Sequence, residues 1–325
     1  MGAAASAWRS GALLLSAALF STAALAQDSA GLLQSLSRMT AALRERDYQG
    51  ALIYQHDGRI DALRLYHAAA APERERLVSL NGPAREFVRS GGAVTCIQAG
   101  IEPLALTGEA GRSLLPLVPP VPAEFPHAVY RLESGGEERV AGYEARVVEL
   151  RAGDAFRYGY RLWIEKDSSL PLRSALVDAS GRVIEQMMFV TLEIGAPPHS
   201  QDLAPIRPLA EGGVSGDEET ALAGDADWQA AGLPDGFALT ARTSPAHAGR
   251  NEAEHLLYSD GIASVSVYIE PAVGGAAAAS LDSRGALSVY TAAIDGHGVT
   301  VLGEVPPSTV ERIGKSLRRV SPTIR

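Results

Sequence analysis

YEARVVEL (143–150), FRYGYRLWIEK (156–166), LPLRSALV (170–177) and RVIEQMMFVTLEI (182–194) follow one another with only short polar breaks between them. The breaks carry Gly153-Asp154, Asp167-Ser168-Ser169 and Asp178-Ala179-Ser180-Gly181, while the runs are rich in Val, Ile, Tyr, Phe and Trp. Turn residues between β-forming runs, with no room for crossover helices, define an antiparallel meander. In the second run Tyr158, Tyr160, Leu162 and Ile164 alternate with Gly159, Arg161 and Glu165, which predicts one buried and one partly wetted face, with Trp163 on the polar side. Met187, Met188, Phe189 and Val190 break the alternation, as expected where both faces of a curved sheet are covered. A wall of this kind is either ordinary core, the simpler reading, or the lining of an apolar cavity.

Upstream, residues 47–56 and 59–67 flank Asp57-Gly58, the preferred pair for a type I′ hairpin. A regular hairpin there sets His67 opposite Tyr48 as a packing residue. Further short runs at 76–80, 85–89 and 94–98 are evenly spaced and point to a barrel or sandwich. Before them, Leu32, Leu36, Met39 and Leu43 form the apolar stripe of a helix of about four turns. Between the two β regions, Pro116, Pro119, Pro120 and Pro122 interrupt the apolar residues Leu114, Leu115, Leu117, Val118 and Val121, so neither a helix nor a central strand can run through 108–125. This segment is either a lid over a sheet opening or a well-packed connection.

Downstream, Pro197, Pro198, Pro205 and Pro208 lead into the acidic, Gly-rich residues 211–219, which reads as an interdomain linker. A second unit begins near Trp228, with strands expected at 238–243, 254–258, 262–269, 286–294 and 299–304 and a low-complexity loop at 274–279. Ser308-x-x-Glu311 matches a capping box, and Val310, Ile313, Leu317 and Val320 supply the apolar face of a closing helix, with Lys315, Arg318 and Arg319 near its end.

The 325 residues are enough for two cores, and a net charge of −9 argues against a nucleic-acid footprint. Arg9, the apolar run 12–25 and Ala24-Leu25-Ala26 match the plan of a secretory signal peptide over residues 1–26, which predicts a soluble exported protein. The single cysteine, Cys96, allows no internal disulfide and reads as a core thiol. Arg74, Arg76, Arg85 and Arg89 are either scattered outward-facing strand positions, the simpler reading, or an anion site. There is no Gly-x-Ser-x-Gly, no phosphate-binding Gly-x-x-x-x-Gly-Lys and no His-Glu-x-x-His, and no two of the seven His have helical metal-ligand spacing. The chemistry therefore points to a binding protein with no cofactor, no metal and no catalytic residue.

Tyr48-Gln49-Gly50 with Tyr54, Glu75-Arg76-Leu77, Asn81-Gly82-Pro83-Ala84-Arg85-Glu86, the strand pair 160–173 with Trp163 and Leu170-Pro171-Leu172, Leu257-Tyr258-Ser259-Asp260-Gly261 and Val301-Leu302-Gly303-Glu304-Val305-Pro306-Pro307 together resemble the RseB/MucB family. Asn81 stands where Asp is expected before Gly82, and Ser169 where Gly is expected before Leu170; both are turn positions. The resemblance spans nearly all of the chain after the signal peptide. It implies an α+β, mostly antiparallel fold: a half-open β-barrel similar to LolA and LolB over 27–195, a linker over 196–227 and a smaller α+β domain over 228–325. It also implies a periplasmic negative regulator of a sigma-E-type factor that holds the periplasmic segment of a single-span anti-sigma factor, blocks its proteolysis and answers to lipopolysaccharide, lipid or lipoprotein acyl chains. A lipoprotein carrier of the LolA type is the alternative, and homo-oligomerisation stays open. On this reading an apolar cleft in the first domain is expected to use Tyr158, Tyr160, Trp163, Met187 and Phe189 under Leu115 and Leu117. The partner is expected to meet Tyr258, Asp260 and Tyr268 of the second domain, and the linker to act as a joint between movable domains.

Overall fold

A computed structural model describes residues 29–90, 93–98, 104–106, 113–206, 228–243, 254–272 and 278–320. The expected signal peptide and residues 207–227 of the expected linker lie outside them.

The first domain is one antiparallel sheet of eleven strands: β1 (Tyr48–His56), β2 (Arg59–Ala68), β3 (Arg74–Ser79), β4 (Arg85–Ser90), β5 (Ala93–Gln98), β6 (Leu104–Leu106), β7 (Tyr130–Val140), β8 (Tyr143–Ala152), β9 (Gly159–Glu165), β10 (Pro171–Val177) and β11 (Val183–Ile194). Their order is β6-β5-β4-β3-β2-β1-β11-β10-β9-β8-β7. Two meanders are thus joined where β1 pairs with β11, and β6 and β7 end the order without closing it. The junction is tight, since a Cβ on Gly50 would lie 2.2 Å from the Thr191 carbonyl oxygen beside a bulge at Ala51 and Leu52. Asp57 and Gly58 both have positive φ, as a type I′ turn requires, and the resulting register sets Tyr48 opposite His67 with the rings stacked at 4.6 Å.

Register also assigns the faces. Leu52 sits opposite Leu63 and Phe189, Leu65 opposite Leu77, and Leu162 opposite Val148 and Ser174. This face carries helix α1 (29–45), whose Leu32, Leu36, Met39 and Leu43 are all buried, the first three against Tyr130, Val148, Leu150 and Leu162. β11 resolves its Met-rich run by simple alternation: Met187 and Phe189 are buried, Met188 is half-buried and Val190 is exposed.

In the second domain β13 (Ala238–Thr243), β14 (Glu254–Ser259), β15 (Ser264–Pro271), β16 (Ser280–Arg284), β17 (Leu287–Ile294) and β18 (His297–Gly303) form a sheet in the order β13-β14-β15-β18-β17-β16. Helix α2 (Pro307–Lys315) buries Val310 and Ile313 against it, and β12 (Trp228–Ala230) pairs with β19 (Leu317–Arg319).

Several expectations are corrected here. The Ser308 hydroxyl does not cap α2; Pro306 holds the N-cap position and Ser308 donates to the Ala155 carbonyl of the first domain. Leu317 belongs to a strand, so the helix ends at Lys315, and Val320 is exposed. β7 was unexpected because YRLESGGEERV is polar along most of its length, and its burial pattern is correspondingly exposed. Residues 196–206 dock on the first domain: Leu203 is buried, Arg76 donates to the Asp202 carbonyl and the Ile206 amide donates to Glu86.

Candidate functional site

Among the described residues, two groups of buried polar side chains tie separate elements of the molecule together. The first holds the proline-broken segment 113–125 over the sheet. Glu75 on β3 is fully buried and accepts from the Ser113 hydroxyl at 2.6 Å and the Leu114 amide at 2.8 Å. Arg89, one strand away on β4, donates to Glu75 at 3.1 Å and to Glu73 at 2.5 Å. Glu73 in turn lies 3.0 Å from His67, whose other ring nitrogen is 2.7 Å from the Arg46 carbonyl at the end of α1. Both ring nitrogens thus face oxygen atoms. Burial works against the Glu73 charge, but Arg89 and His67 together pull its carboxyl below the ordinary value. Of the four arginines of this region, Arg74 and Arg85 are exposed strand positions, as the simpler reading has it, whereas Arg89 is paired with Glu73 and Glu75, and Arg76 with Glu86 at 2.6 Å.

Farther along, the Ser174 hydroxyl donates to the Leu117 carbonyl, and Leu115 packs with Leu52, Leu65, Met187 and Phe189. The segment therefore supplies core to the sheet in this conformation. Of the seven residues expected to line a cleft, Leu115, Met187 and Phe189 are brought together, with Leu117 beside them. Tyr158 and Tyr160 share the same sheet face but sit at its far end, where Tyr158 meets Leu176 and Ala286 of the second domain. Trp163 is buried in the same cluster as Leu115, Met187 and Phe189, although its register turns it to the other side of β9 from Leu162, under the Arg173 guanidinium at 4.1 Å and hydrogen-bonded to Glu138.

The second place is the seam between the domains. Arg157 is 0 % exposed, and all three of its side-chain nitrogens have partners: Nη1 donates to Asp260 at 2.6 Å, Nε to Asp154 at 3.0 Å and Nη2 to the Asp235 carbonyl at 2.6 Å. Its planar cation lies near the rings of Tyr130 and Phe237, 5.5 and 5.1 Å from their centroids. Asp260 also accepts from the amides of Ile262 and Ala263 and from the Tyr130 hydroxyl, and burial together with Asp260 pushes that hydroxyl's pKa up. At the other end of the seam, buried Glu185 accepts from Tyr54 at 2.5 Å and from the Ala286 amide at 2.8 Å, while Arg284 lies 3.3 Å from Asp57. Between them Thr309 donates to the Phe156 carbonyl at 2.7 Å. A cavity of about 400 Å³ remains in the seam, walled by Tyr158 and Ile184 from one domain and by Gly285, Pro306 and Pro307 from the other.

Of the three residues expected to meet the partner, Asp260 is turned inward onto Arg157, and Tyr258 is core, its hydroxyl accepting from the Ala230 amide. Tyr268 is 37 % exposed, stacked on His255 at 4.4 Å, and is the one of the three at the surface. Sequence reading missed Arg157, Glu185 and Gly285; the Asp260-Gly261 and Pro306-Pro307 motifs marked the second domain's side of the seam without naming what they meet.

Among the described residues no group of three or more His, Cys, Asp and Glu is arranged to hold a metal, and no helix is long and apolar enough to cross a membrane. An unclosed sheet under a packed segment, joined through a buried polar seam to a second small domain, defines a two-domain binding protein. Family models place it further: residues 32–207 match the MucB/RseB N-terminal domain and 223–318 the MucB/RseB C-terminal domain, so the chain belongs to the MucB/RseB family. It is 33 % identical over 293 residues to the sigma factor AlgU regulatory protein MucB of Pseudomonas aeruginosa, covering 87 % of this chain and 89 % of that one. The structure of the Pseudomonas aeruginosa MucA/MucB complex matches with a TM-score of 0.69 at 30 % identity over 90 % of this chain and 99 % of that one. A crystal structure of MucB alone matches at 0.60 and 31 % identity, with the same coverage of each.

Proposed function

We propose that this protein is a periplasmic regulator of a sigma-E-type response that binds the periplasmic segment of a single-span anti-sigma factor, shields it from regulated proteolysis and answers to lipid-like signals of envelope damage. The observation that supports this most is the match, across both domains at once, to MucB as solved with MucA. The domain arrangement suits the task. Residues 196–206 return onto β3 and β4 and the second domain is seated on the end of the first sheet, so an extended segment meets one continuous body. The packed state of Leu115, Met187 and Phe189 fits a signal site that is closed until an acyl chain displaces the segment above it.

The reading is tested by co-purification with the periplasmic segment of the single-span anti-sigma protein encoded by the same genome, followed by digestion of that segment by its site-1 protease. Capture of the segment and slower cleavage in the presence of the protein are expected. Absence of capture, or cleavage at an unchanged rate, would remove the proposed role.

A further inference from the structure

The seam is built to fix one relative placement of the domains. Taking Arg157 and Asp260 out of water is costly, and such a pair persists only where the geometry is matched and the remaining donors and acceptors are filled; setting registry is its best-attested use. Both side chains are 0 % exposed, and each is held from its own side. Asp154 fixes Arg157 within the first domain, and the Ile262 and Ala263 amides fix Asp260 within the second. Neither group can swing to follow the other if the domains shift, so a small displacement leaves Asp260 without its cation and Arg157 with Asp154 alone.

The far end of the seam is equally exacting. Gly285 has φ +59, and a Cβ there would lie 2.4 Å from Glu185 Oε1, so a side chain would both strain the turn between β16 and β17 and push aside the carboxylate that Tyr54 and the Ala286 amide hold. That seating delivers Ala286, which is 1 % exposed, onto Tyr158 and Leu176. Two separated contacts, with the Thr309 bond to the Phe156 carbonyl between them, restrict rotation as well as distance.

We propose that the Arg157–Asp260 pair and the Gly285 turn form a docking lock that holds the domains in the arrangement competent for the anti-sigma segment, so that affinity is set by buried residues that the segment does not touch. The proposal rests on the functional reading above. It departs from the expectation of a free joint, because the placement is specified by a buried charge pair whose two members are each fixed within their own domain. Apparent affinity scales with the competent fraction, so a lock populated one-tenth of the time weakens binding about tenfold.

The test uses the full exported chain and the periplasmic segment of its own genome's anti-sigma protein as probe. Asp260→Asn keeps the shape and removes the charge. Arg157→Leu combined with Asp260→Leu replaces the pair by apolar side chains, and Gly285→Val blocks the other end. Small-angle scattering reports docking, circular dichroism reports folding of each sheet, and titration calorimetry reports affinity. The expected result is a larger radius of gyration and at least about tenfold weaker binding for Asp260→Asn and Gly285→Val, with secondary structure kept and both properties restored in the double Leu variant. An undocked variant that binds as tightly as wild type would overturn the coupling, and an Asp260→Asn chain that stays docked would overturn the lock. A variant that loses its secondary structure overturns the assignment of that residue to docking alone. If the unaltered protein does not bind the segment, the functional reading falls with the coupling, while scattering still decides whether the lock exists.

Discussion

Arg89 and Arg157 are both buried guanidinium groups surrounded by carboxylates, and they do different work. Arg89 meets Glu73 and Glu75 across neighbouring strands of one sheet, and Glu75 carries the result to Ser113 and Leu114. Arg157 meets Asp154 nearby but finds its second carboxylate 103 residues away in another domain. A buried charge paired locally anchors a segment to a fold that already exists; one paired across a seam specifies how two folds sit together. The contrast separates what stabilises a domain from what organises the molecule.

The sharpest way to break it is to remove each cation. Arg89→Met is expected to cost the first domain about 3–5 kcal/mol, because Glu75 stays buried without its cation. The loss is measured by chemical denaturation and accompanied by faster proteolysis within 113–125. Arg157→Met is expected to leave each domain's own transition near its place while a single cooperative transition separates into two. Equal losses of first-domain stability from both substitutions would erase the distinction.

The packed segment offers the next test. Leu115→Ala is expected to destabilise the first domain by about 2–5 kcal/mol if Leu115 is core as drawn. Added lipid A or a lipopeptide should recover part of the loss, if the space is the signal site proposed above. Full destabilisation with no recovery by either amphiphile would leave the segment as a purely structural cover. A smaller effect is expected at Ser169, which has φ +65 where the family resemblance leads one to expect Gly. Ser169→Gly should raise the melting temperature of the first domain, the relief being about 1 kcal/mol; a lowered value would show that the Ser side chain has a role of its own.

The smallest effect concerns acid. The Ser180 hydroxyl, with Arg182, holds the Asp178 carboxyl at about 2, below its ordinary 3.8. A carboxyl depressed on folding stabilises above its unfolded value and loses that contribution as pH falls through the folded one. Asp178→Asn should therefore differ from wild type above about pH 4 and approach it as pH falls toward about 2, and a gap as large at about pH 2 as at about pH 5 would exclude the ionised turn as its cause.

The same contrast explains what could be read from the chain alone. Alternation and turn chemistry made β8 to β11, the Asp57-Gly58 hairpin and the stripe of α1 legible, because each depends on residues close in sequence. Even the Tyr48 and His67 stack followed from the register of one hairpin. β7 was hidden because its side chains are mostly exposed and polar, so backbone pairing with β8 leaves no hydrophobic period. Register sets Trp163 on the side of Arg161 and Arg173, as its parity indicates, but the ring is buried in one cluster with Met187 and Phe189, so that side of β9 is not wetted there. Asp260 was singled out as a charge beside a turn, which it is; its partner could not be found because nothing local distinguishes Arg157 from the other arginines of the meander. Gly285 carries no sequence signal beyond being a glycine in a hairpin, and its importance comes from Glu185, which belongs to the other domain.

The central claim is that a docked two-domain body holds one anti-sigma segment, and isothermal titration of that periplasmic segment into the intact exported protein tests it most directly. The account predicts saturable binding at a single class of site, weakened when Asp260 is replaced by Asn and recovered in the Arg157→Leu, Asp260→Leu double variant. Absence of saturable heat with the unaltered protein, under conditions where scattering shows the domains docked, would contradict it.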